Sequence, residues 1–421
     1  MPQPSAVAST KTILVLGAGM VGTCTALHLA QRGHQVVLVD RRSPGEETSY
    51  GNAGIIQREA VEPYPFPRDI ARVLRVAFKR GIDTNWHLSA MPVIGPRLAR
   101  YWYNSSPARY PGHAKAYGNL VAQSISEHAP LIEAAGAGDL VRRDGYLWIY
   151  REQASMDKAM ANAARIAGAN GLRYQVLGPD ALATAEPSLR RRLPGAIEWL
   201  DPWSVTDPGE LVARYAALFV KLGGRIVSGD ALTLKQASSG WSVQTDDGAV
   251  AAEHVVVALG PWADTLIRPL GYTLPLFVKR GYHRHYTGGT GPARALLDAD
   301  RGLVIAPMKR GVRITTGAEF ALRDAPSTPW QMDGAEAAAR ELVDLPTPVE
   351  AQPWRGARPC VADMVPVVGA APKHAGLWFN FGHAHQGFTM GPASGRLLAE
   401  LIDGDAPMVD PAPYSPARFG G

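Results

Sequence analysis

Apolar and polar positions change their period along the chain, and the changes mark the first elements. A short apolar run over 12–16 (TILVL) predicts a buried strand. The apolar positions that follow, up to Ala30, have helical spacing, and Gly33 ends that helix. A second apolar run over 35–39 (QVVLV) predicts another strand. Strands that alternate with helices in this way predict a parallel sheet and an α/β fold.

A glycine fingerprint joins the first strand to the first helix. Gly17 allows a sharp turn, Gly19 lets backbone approach a pyrophosphate, and Gly22 lets the helix pack on the strand. Asp40 ends the second strand near the expected offset of about 20 residues, where a carboxylate accepts hydrogen bonds from an adenosine ribose. The pattern predicts a Rossmann-type dinucleotide site. Its residues are Gly17, Gly19, Met20, Val21, Gly22, Asp40, Arg41 and Arg42.

A loop of small residues over 48–56 (TSYGNAGII) follows the second strand. Such a loop can press its backbone against a flat ligand and donate hydrogen bonds to phosphates. The alternative is a flexible surface loop. The candidates here are Thr48, Ser49, Asn52, Ala53, Gly54 and Ile55.

The pattern of helix, glycine and strand returns in the middle of the chain. A helix from near Pro208 to Leu222 leads to a glycine pair and a strand over 225–227. A further apolar strand over 253–259 ends in the sequence ALGPW, and open α/β sheets bind ligands at such carboxyl ends. The candidates in this part are Ala231, Leu259, Gly260 and Trp262.

Two stretches interrupt this pattern and predict a second domain. The first, 63–195, is mainly helical at its start, with Tyr101, Trp102 and Tyr103 as core or lid residues, and carries strands further on. The second, 273–353, predicts strands at 278–286, 302–307 and 312–316, which suit an antiparallel sheet. We therefore expect a nucleotide domain over 10–62, 196–272 and 354–421, and a substrate domain over 63–195 and 273–353.

The last stretch contains a second glycine-rich turn into a helix, which runs from about 392 to 402. A helix whose positive end faces the N1 and C2 carbonyl of a flavin would stabilise the reduced ring. The histidines of the turn also suggest a metal pair, but no cysteine or carboxylate lies nearby in sequence, so no metal is predicted. The candidates are His383, His385, Gln386, Gly387, Phe388 and Thr389.

Composition adds limits on size, partners and compartment. The chain has 421 residues, too many for one simple core, and 46% of them are hydrophobic. The formal charge of +5 is a mild excess. The basic cluster 279–285 lacks the motifs of a nucleic-acid-binding protein, and the alternative is that one of its cations faces an anionic substrate. Two distant cysteines, Cys24 and Cys360, suit a reducing compartment.

No apolar run reaches the ~18 residues that a membrane helix needs. Residues 1–10 (MPQPSAVAST) are too short and polar for a signal peptide and predict a loose tail. A cytoplasmic location follows as the expectation, with peripheral contact at the inner membrane if the electron acceptor is a quinone.

The chain resembles the FAD-dependent D-amino acid dehydrogenase and glycine oxidase group. The similarity rests on the fingerprint ending in Asp40, the TSYGNAGII loop, the ALGPW strand end, and the segments WRGARPCVADMVPVVG and GHAHQGFTMGPASGRLLAELI. It implies a discontinuous FAD-binding domain, with an antiparallel substrate domain over the flavin. It also implies oxidation of an amino acid Cα–N bond to an imine, which water hydrolyses to an oxo acid and ammonia.

By the same resemblance, Arg358 matches the arginine that pairs with the substrate carboxylate, a task for which planar guanidinium is suited. A structural salt bridge is the alternative. Arg280, Tyr282 and His283 are weaker candidates for lining the substrate pocket. Val304 and Ile305 stand where related enzymes place a tyrosine, so a different side-chain pocket is expected.

Some sarcosine-oxidising relatives link the flavin to a cysteine shortly before the aspartate of this segment. Cys360 lies three residues before Asp363, which is too close, so noncovalent FAD is expected.

Three functions stay open at this point. The first is a flavoprotein that oxidises a D-amino acid or a cyclic imino acid such as D-proline, with a quinone or oxygen as acceptor; a sarcosine or glycine oxidase is its variant. The second is a nicotinamide-dependent dehydrogenase that uses the same fingerprint. The third is a non-catalytic dinucleotide-binding or tRNA-modification component. The sequence predicts a small-molecule amino acid substrate and no nucleic acid.

Overall fold

The structure is a computed structural model and describes residues 10–420. The predicted N-terminal tail lies, except for Thr10, outside the described residues. The helices are α1 (Met20–Gln31), α2 (Ile70–Ala77), α3 (Met91–Asn104), α4 (Tyr110–Ala122), α5 (Ser124–Ala134), α6 (Gln153–Asn170), α7 (Pro179–Ala185), α8 (Pro208–Lys221), α9 (Ala263–Ile267), α10 (Trp330–Arg340) and α11 (Gly387–Asp403).

The strands alternate with these helices and are numbered in chain order. They are β1 (Thr12–Leu16), β2 (Gln35–Asp40), β3 (Ile55–Ile56), β4 (Thr84–Trp86), β5 (Val141–Arg142), β6 (Tyr146–Tyr150), β7 (Tyr174–Leu177), β8 (Gly195–Trp199), β9 (Trp203–Val205), β10 (Arg225–Ala237), β11 (Gly240–Thr245), β12 (Gly248–Ala252), β13 (His254–Val257), β14 (Leu276–Thr287), β15 (Leu296–Asp298), β16 (Leu303–Met308), β17 (Gly311–Thr315), β18 (Ala318–Phe320), β19 (Thr347–Pro348), β20 (Trp354–Val361), β21 (Val367–Ala370) and β22 (Leu377–Phe381).

The nucleotide sheet has the order β12-β11-β10-β2-β1-β13-β22-β21. Its five central strands, β10 to β22 in that order, are parallel. Ile13 and Val15 of β1 pack into the core on one face, while Leu14 and Leu16 pack into the core on the other. Such burial on both faces is why these strands are almost wholly apolar. The predicted Rossmann-type α/β arrangement is confirmed.

The larger sheet runs β4-β18-β14-β17-β16-β15-β6-β8-β7, with β19 and β20 also paired to β14. It is mostly antiparallel, as predicted, although β15–β6 and β18–β4 are parallel pairs. β14 pairs along most of its length with β20, from Leu276 opposite Val361 to His283 opposite Trp354. This pairing brings a C-terminal strand into the substrate sheet.

Two predicted domain boundaries do not match the sheets. β8 was expected in the nucleotide domain from 196 onward, yet it pairs with β6 and β7. β20 was expected there from 354 onward, yet it pairs with β14. Conversely, α4 and α5 lie in the predicted substrate domain but contribute Leu120 and Leu131 to the core beneath α1 and α11. Sequence-local patterns do not reveal the β6–β8 and β14–β20 pairings, because each of these joins strands that are separated by several other elements.

Among residues 10–420, no helix is both long enough and apolar enough to cross a lipid bilayer.

Candidate functional site

A cavity of about 1160 Å³ lies between the nucleotide sheet and the larger sheet. One part of its wall is the β1–α1 turn, with Gly17 and Gly19, and another is β20, with Arg358. The fingerprint and the predicted carboxylate-binding arginine, about 340 residues apart in sequence, therefore open onto one continuous space.

The β1–α1 turn requires its glycines. Gly17 has φ +107°, and a Cβ there would lie 2.6 Å from the Ala258 carbonyl oxygen. A Cβ on Gly22 would lie 1.8 Å from the Gly17 carbonyl oxygen. At Gly19 the nearest atom to a Cβ is the Ser49 hydroxyl at 3.4 Å, so this position has room on the cavity side.

Two side chains already interact with the turn. The Asp40 carboxylate accepts from the Ala18 N–H at 2.7 Å and from the Arg42 N–H at 3.1 Å. The Ser49 hydroxyl accepts from the Met20 N–H at 2.9 Å, at the helix N-terminus where a phosphate would bind. The turn thus presents an acidic group and a polar helix end to the cavity, which is the donor and acceptor set that an ADP moiety needs.

The loop 48–56 is held in place rather than free, which contradicts the alternative of a flexible surface loop. The Arg313 guanidinium donates to the backbone carbonyls of Tyr50, at 2.8 Å, and Asn52, at 2.5 Å. His285 accepts from Arg313 Nε at 2.9 Å, and its Nδ1 lies 2.7 Å from a carboxylate oxygen of Glu350. Burial lowers the pKa of Arg313 to about 10, so it stays charged at neutral pH.

Arg313 and Glu350 were not predicted as site residues from the sequence. Arg313 is the second residue after Gly311 on a short strand, and nothing near it in sequence shows that it reaches a loop 260 residues earlier. The only signal was the alternation of His283 and His285 on β14, which places both on one face of the sheet.

Arg358 lies at the cavity wall, as the resemblance implied. Its guanidinium donates to the carbonyl oxygens of Gly317, at 2.8 Å, and Thr316, at 3.3 Å. Within residues 10–420, no carboxylate lies within 4 Å of it. Burial lowers the pKa of Arg358, because the charged form is desolvated. The structural salt bridge, the alternative for this residue, is absent from this part of the chain.

Lys279 is a second cation at the wall. The sequence placed it in the basic cluster 279–285, but it was not among the predicted site residues. It is opposite Arg358 in the β14–β20 register. Its ammonium donates to the Tyr101 hydroxyl at 3.1 Å and lies 4.4 Å from the centre of the Tyr101 ring. The aromatic group at 101–103 therefore reaches the site through Tyr101, while Trp102 and Tyr103 are exposed.

Arg280, expected at the pocket, does not line the cavity. Consecutive side chains of a strand point to opposite faces, and Arg280 points away from the face that carries Lys279. Its Nη2 lies 2.6 Å from an oxygen of Glu319, and both side chains are fully buried. Tyr282 reaches the cavity wall, but its hydroxyl donates to Glu319 at 2.7 Å and is occupied there.

His283 does not line the cavity either. Its ring stacks on Trp354 at 4.8 Å between centroids and lies 5.5 Å from the Tyr50 ring. Burial lowers the pKa of His283 to about 2, with Arg313 adding to the effect, so the ring is neutral. His283 supports Trp354, which does line the cavity.

The turn before α11 places both of its histidines at the wall. His383 Nε2 lies 2.9 Å from the Ser394 hydroxyl, and the His385 ring lies 5.1 Å from the Tyr64 ring. Burial lowers the pKa of each histidine to about 3, so both are neutral at pH 7. Among residues 10–420, no group of three or more potential ligands could hold a metal ion.

Most of the predicted cofactor residues share this wall: Gly17, Gly19, Met20, Val21, Asp40, Arg41, Thr48, Ser49, Asn52, Ala53, Ile55, Ala231, Leu259, Gly260, Trp262, His383, His385, Gly387 and Phe388. The others do not line it: Gly22, Arg42, Gly54, Gln386 and Thr389. Gln386 donates to Gln57 at 2.6 Å, and Thr389 accepts from the Gln57 N–H at 3.1 Å, so both brace the wall. Val304 lines the cavity, while Ile305 is buried in the core between the larger sheet and α10.

Comparison with known proteins identifies the family of this chain. The family model described as FAD dependent oxidoreductase (DAO) matches residues 12–401. A D-amino acid dehydrogenase of Cereibacter sphaeroides is 33% identical over 436 residues, covering 97% of this chain and 95% of its own. A D-amino-acid oxidase of Bradyrhizobium diazoefficiens is 30% identical over 420 residues, covering 97% of this chain and 98% of its own.

Solved structures share the fold. Glycine oxidase from Geobacillus kaustophilus superimposes with a TM-score of 0.74 at 21% identity, covering 98% of this chain and 100% of its own. Iminodiacetate oxidase from Chelativorans sp. BNC1 gives 0.71 at 22% identity, covering 96% and 98%. The match to a family of FAD-dependent oxidoreductases argues against the nicotinamide-dependent dehydrogenase and the non-catalytic component. The chain belongs to the DAO family and is an FAD-dependent oxidoreductase.

Proposed function

We propose that this enzyme oxidises the Cα–N bond of a D-amino acid or cyclic imino acid to an imine, which water hydrolyses to a 2-oxo acid. The observation that carries the proposal is Arg358, a guanidinium at the cavity wall whose partners are two backbone carbonyls. A charge so placed needs an anion, and a carboxylate matches its planar donors in a bidentate pair.

Residues of this chain would bind the cofactor and orient the substrate. FAD, when bound, supplies a two-electron acceptor for the hydrogen of Cα. The β1–α1 turn and Asp40 would hold its nucleotide part, and the loop 48–56 and α11 would meet the ring end. Arg358 would fix the substrate carboxylate, which restricts how Cα–H is presented. Orientation of this kind supplies up to about 7 to 11 kcal/mol in favourable cases.

Two features bear on protons in the site. His383 and His385 are neutral at pH 7, so neither adds a positive charge next to a substrate amine. Arg358 is a cation at this end of the cavity, and it favours a bound amine in its neutral form. A neutral amine is the form from which Cα–H leaves with its electron pair.

The D configuration is proposed from the relatives. The proteins about 30% identical over nearly the whole chain are named D-amino acid dehydrogenase or D-amino-acid oxidase. The fold alone does not select it, since L-amino acid deaminase from Proteus vulgaris also superimposes, with a TM-score of 0.70 at 17% identity.

The test is anaerobic reduction of the purified holoenzyme by paired D- and L-amino acids and by proline derivatives. Bleaching of the flavin bands by D-enantiomers, with formation of the 2-oxo acid, is the expected result. Bleaching by L-enantiomers or by glycine and sarcosine alone would contradict the D assignment. Full resistance to every amino acid would contradict the proposed reaction.

For the electron acceptor, helix α2 favours a quinone reached from a membrane surface. None of its residues is buried. Ile70 and Leu74, together with Phe78 directly after the helix, expose 74%, 49% and 67% of their area. Arg72 and Arg75 of the same helix line the cavity. An exposed apolar face flanked by arginines is typical of helices that lie in an anionic membrane interface. Oxygen is the alternative acceptor.

A further inference from the structure

We infer that Lys279 and Arg358 form a two-cation site, and that the enzyme takes amino acids with a second carboxylate in the side chain. The inference rests on the proposed function and adds the substrate class. Arg358 would bind the α-carboxylate, and Lys279 would bind the side-chain carboxylate.

The positions of the two charges support this site. Lys279 and Arg358 are opposite partners in the antiparallel β14–β20 pair, and both line the cavity. Like charges directly opposite on neighbouring strands destabilise a sheet. Arg280, the residue after Lys279 on β14, points to the other face of the sheet and is paired with Glu319. The fold therefore supplies a carboxylate to this buried cation.

Aromatic side chains surround the Lys279 ammonium. Three aromatic rings lie about it, at 4.4 Å for Tyr101, 5.6 Å for Phe320 and 5.7 Å for Phe277. Rings attract a cation but carry no net charge. Within residues 10–420, the Tyr101 hydroxyl is the hydrogen-bond partner of Nζ, and no carboxylate lies within 4 Å.

An ammonium has three donors, and one is used here, so the others can serve a ligand. The Tyr101 hydroxyl in turn donates to the Tyr64 carbonyl oxygen, which fixes the direction from which it receives Lys279. The ammonium is therefore held at the wall beside Arg358 instead of extending into solvent. A dicarboxylate spanning the two cations would neutralise both.

The experiment compares isosteric substrates in the holoenzyme. D-Glutamate and D-glutamine differ in the charge of the side chain and hardly in shape. The wild-type enzyme is expected to prefer D-glutamate at least 10-fold in kcat/KM. Lys279→Met is expected to lose that preference by raising KM for D-glutamate alone, while Lys279→Arg keeps it. Lys235→Met, an exposed lysine outside the cavity wall, is the charge-matched control.

Equal rates on the two substrates in the wild type would overturn the inference. So would a Lys279→Met variant that loses both substrates equally, since Lys279 would then serve the α-carboxylate or the fold. If no amino acid reduces the flavin, the proposed function fails by itself. The site is then tested by equilibrium binding of glutarate against glutaramate, read from the flavin spectrum. Glutarate should bind at least 10-fold tighter, and Lys279→Met should abolish the difference; equal binding in the wild type would overturn the site.

Discussion

The Arg280 guanidinium and the Glu319 carboxylate form an ion pair closed to solvent, with Nη2 2.6 Å from Oε2. Glu319 also accepts from the Tyr282 hydroxyl at 2.7 Å. The pair holds β18 against β14, where Arg280 is opposite Glu319 in register. A side chain with so many partners is structural, which is why Arg280 is not a pocket residue.

Glu319→Gln should therefore destabilise the protein strongly, because it leaves Arg280 buried beside a neutral amide. Losing one partner of a buried pair costs about 3 to 5 kcal/mol. Urea unfolding followed by far-UV circular dichroism measures the change in free energy. The control is Asp180→Asn, which breaks the exposed 2.6 Å pair with Arg192 and should cost less than about 1 kcal/mol. Equal costs for the two variants would contradict this assignment.

Gly17→Ala should abolish FAD binding, since the new methyl group would meet the Ala258 carbonyl at 2.6 Å and the residue would keep φ +107°. Gly33→Ala is the matched control. Gly33 also has a positive φ, +84°, but no atom lies within 4 Å of its Cβ position. It should lose about 1 kcal/mol of stability and keep its flavin. Flavin content per protein after purification decides, and a fully loaded Gly17→Ala variant would count against the predicted nucleotide site.

The buried carboxyl group of Glu59 should make the stability of the protein depend on pH. Burial raises the pKa of this carboxyl to about 8, although Gln57 donates to it at 3.0 Å. The folded state therefore keeps a proton that the unfolded state releases above its ordinary pKa near 4.5. Stability from this group is present below pH 4.5 and is lost as the pH rises towards 8. Glu59→Gln should show a smaller fall in Tm between pH 5 and pH 9 than the wild type. Parallel Tm curves would show that Glu59 ionises normally.

The exposed apolar residues of helix α2 predict that the protein binds to anionic membranes. Leu74→Glu places a charge on the apolar face that exposes Ile70, Leu74 and Phe78, so cosedimentation with phosphatidylglycerol vesicles should fall several-fold. Dye-linked activity in solution should stay within twofold. Val176→Glu, at an exposed apolar residue of β7, is the control and should bind like the wild type. If the wild-type protein does not cosediment with such vesicles, membrane binding by α2 is contradicted and oxygen becomes the favoured acceptor.

The parts of the fold that lie within one stretch of sequence were predicted best. The strand, turn and helix of residues 12–40 sit in one stretch, and each glycine has a local steric reason. Arg358 was found through its motif, because a resemblance carries distant information that periodicity does not.

The predictions that failed depended on which strand lies opposite each residue. Lys279 and Arg280 are adjacent, and only the register of β14 against β20 and β18 shows which one faces the cavity. The contact of Arg313 with Tyr50 spans 263 residues and leaves no periodic signal.

The role of Arg358 is tested most directly by the affinity of the oxidised holoenzyme for a carboxylate that it cannot oxidise. Pyrrole-2-carboxylate is suitable, and its binding is read from the shift of the flavin bands. Arg358→Met should raise Kd about 10- to 100-fold, the equivalent of a charged hydrogen-bonded contact of about 1.5 to 3 kcal/mol.

Arg355→Met is the control, because this arginine lies on the same strand outside the cavity wall and donates to the Ala325 carbonyl. It should leave Kd within twofold of the wild type. Unchanged affinity in Arg358→Met, with flavin fully bound, would contradict the central claim that Arg358 holds the substrate carboxylate.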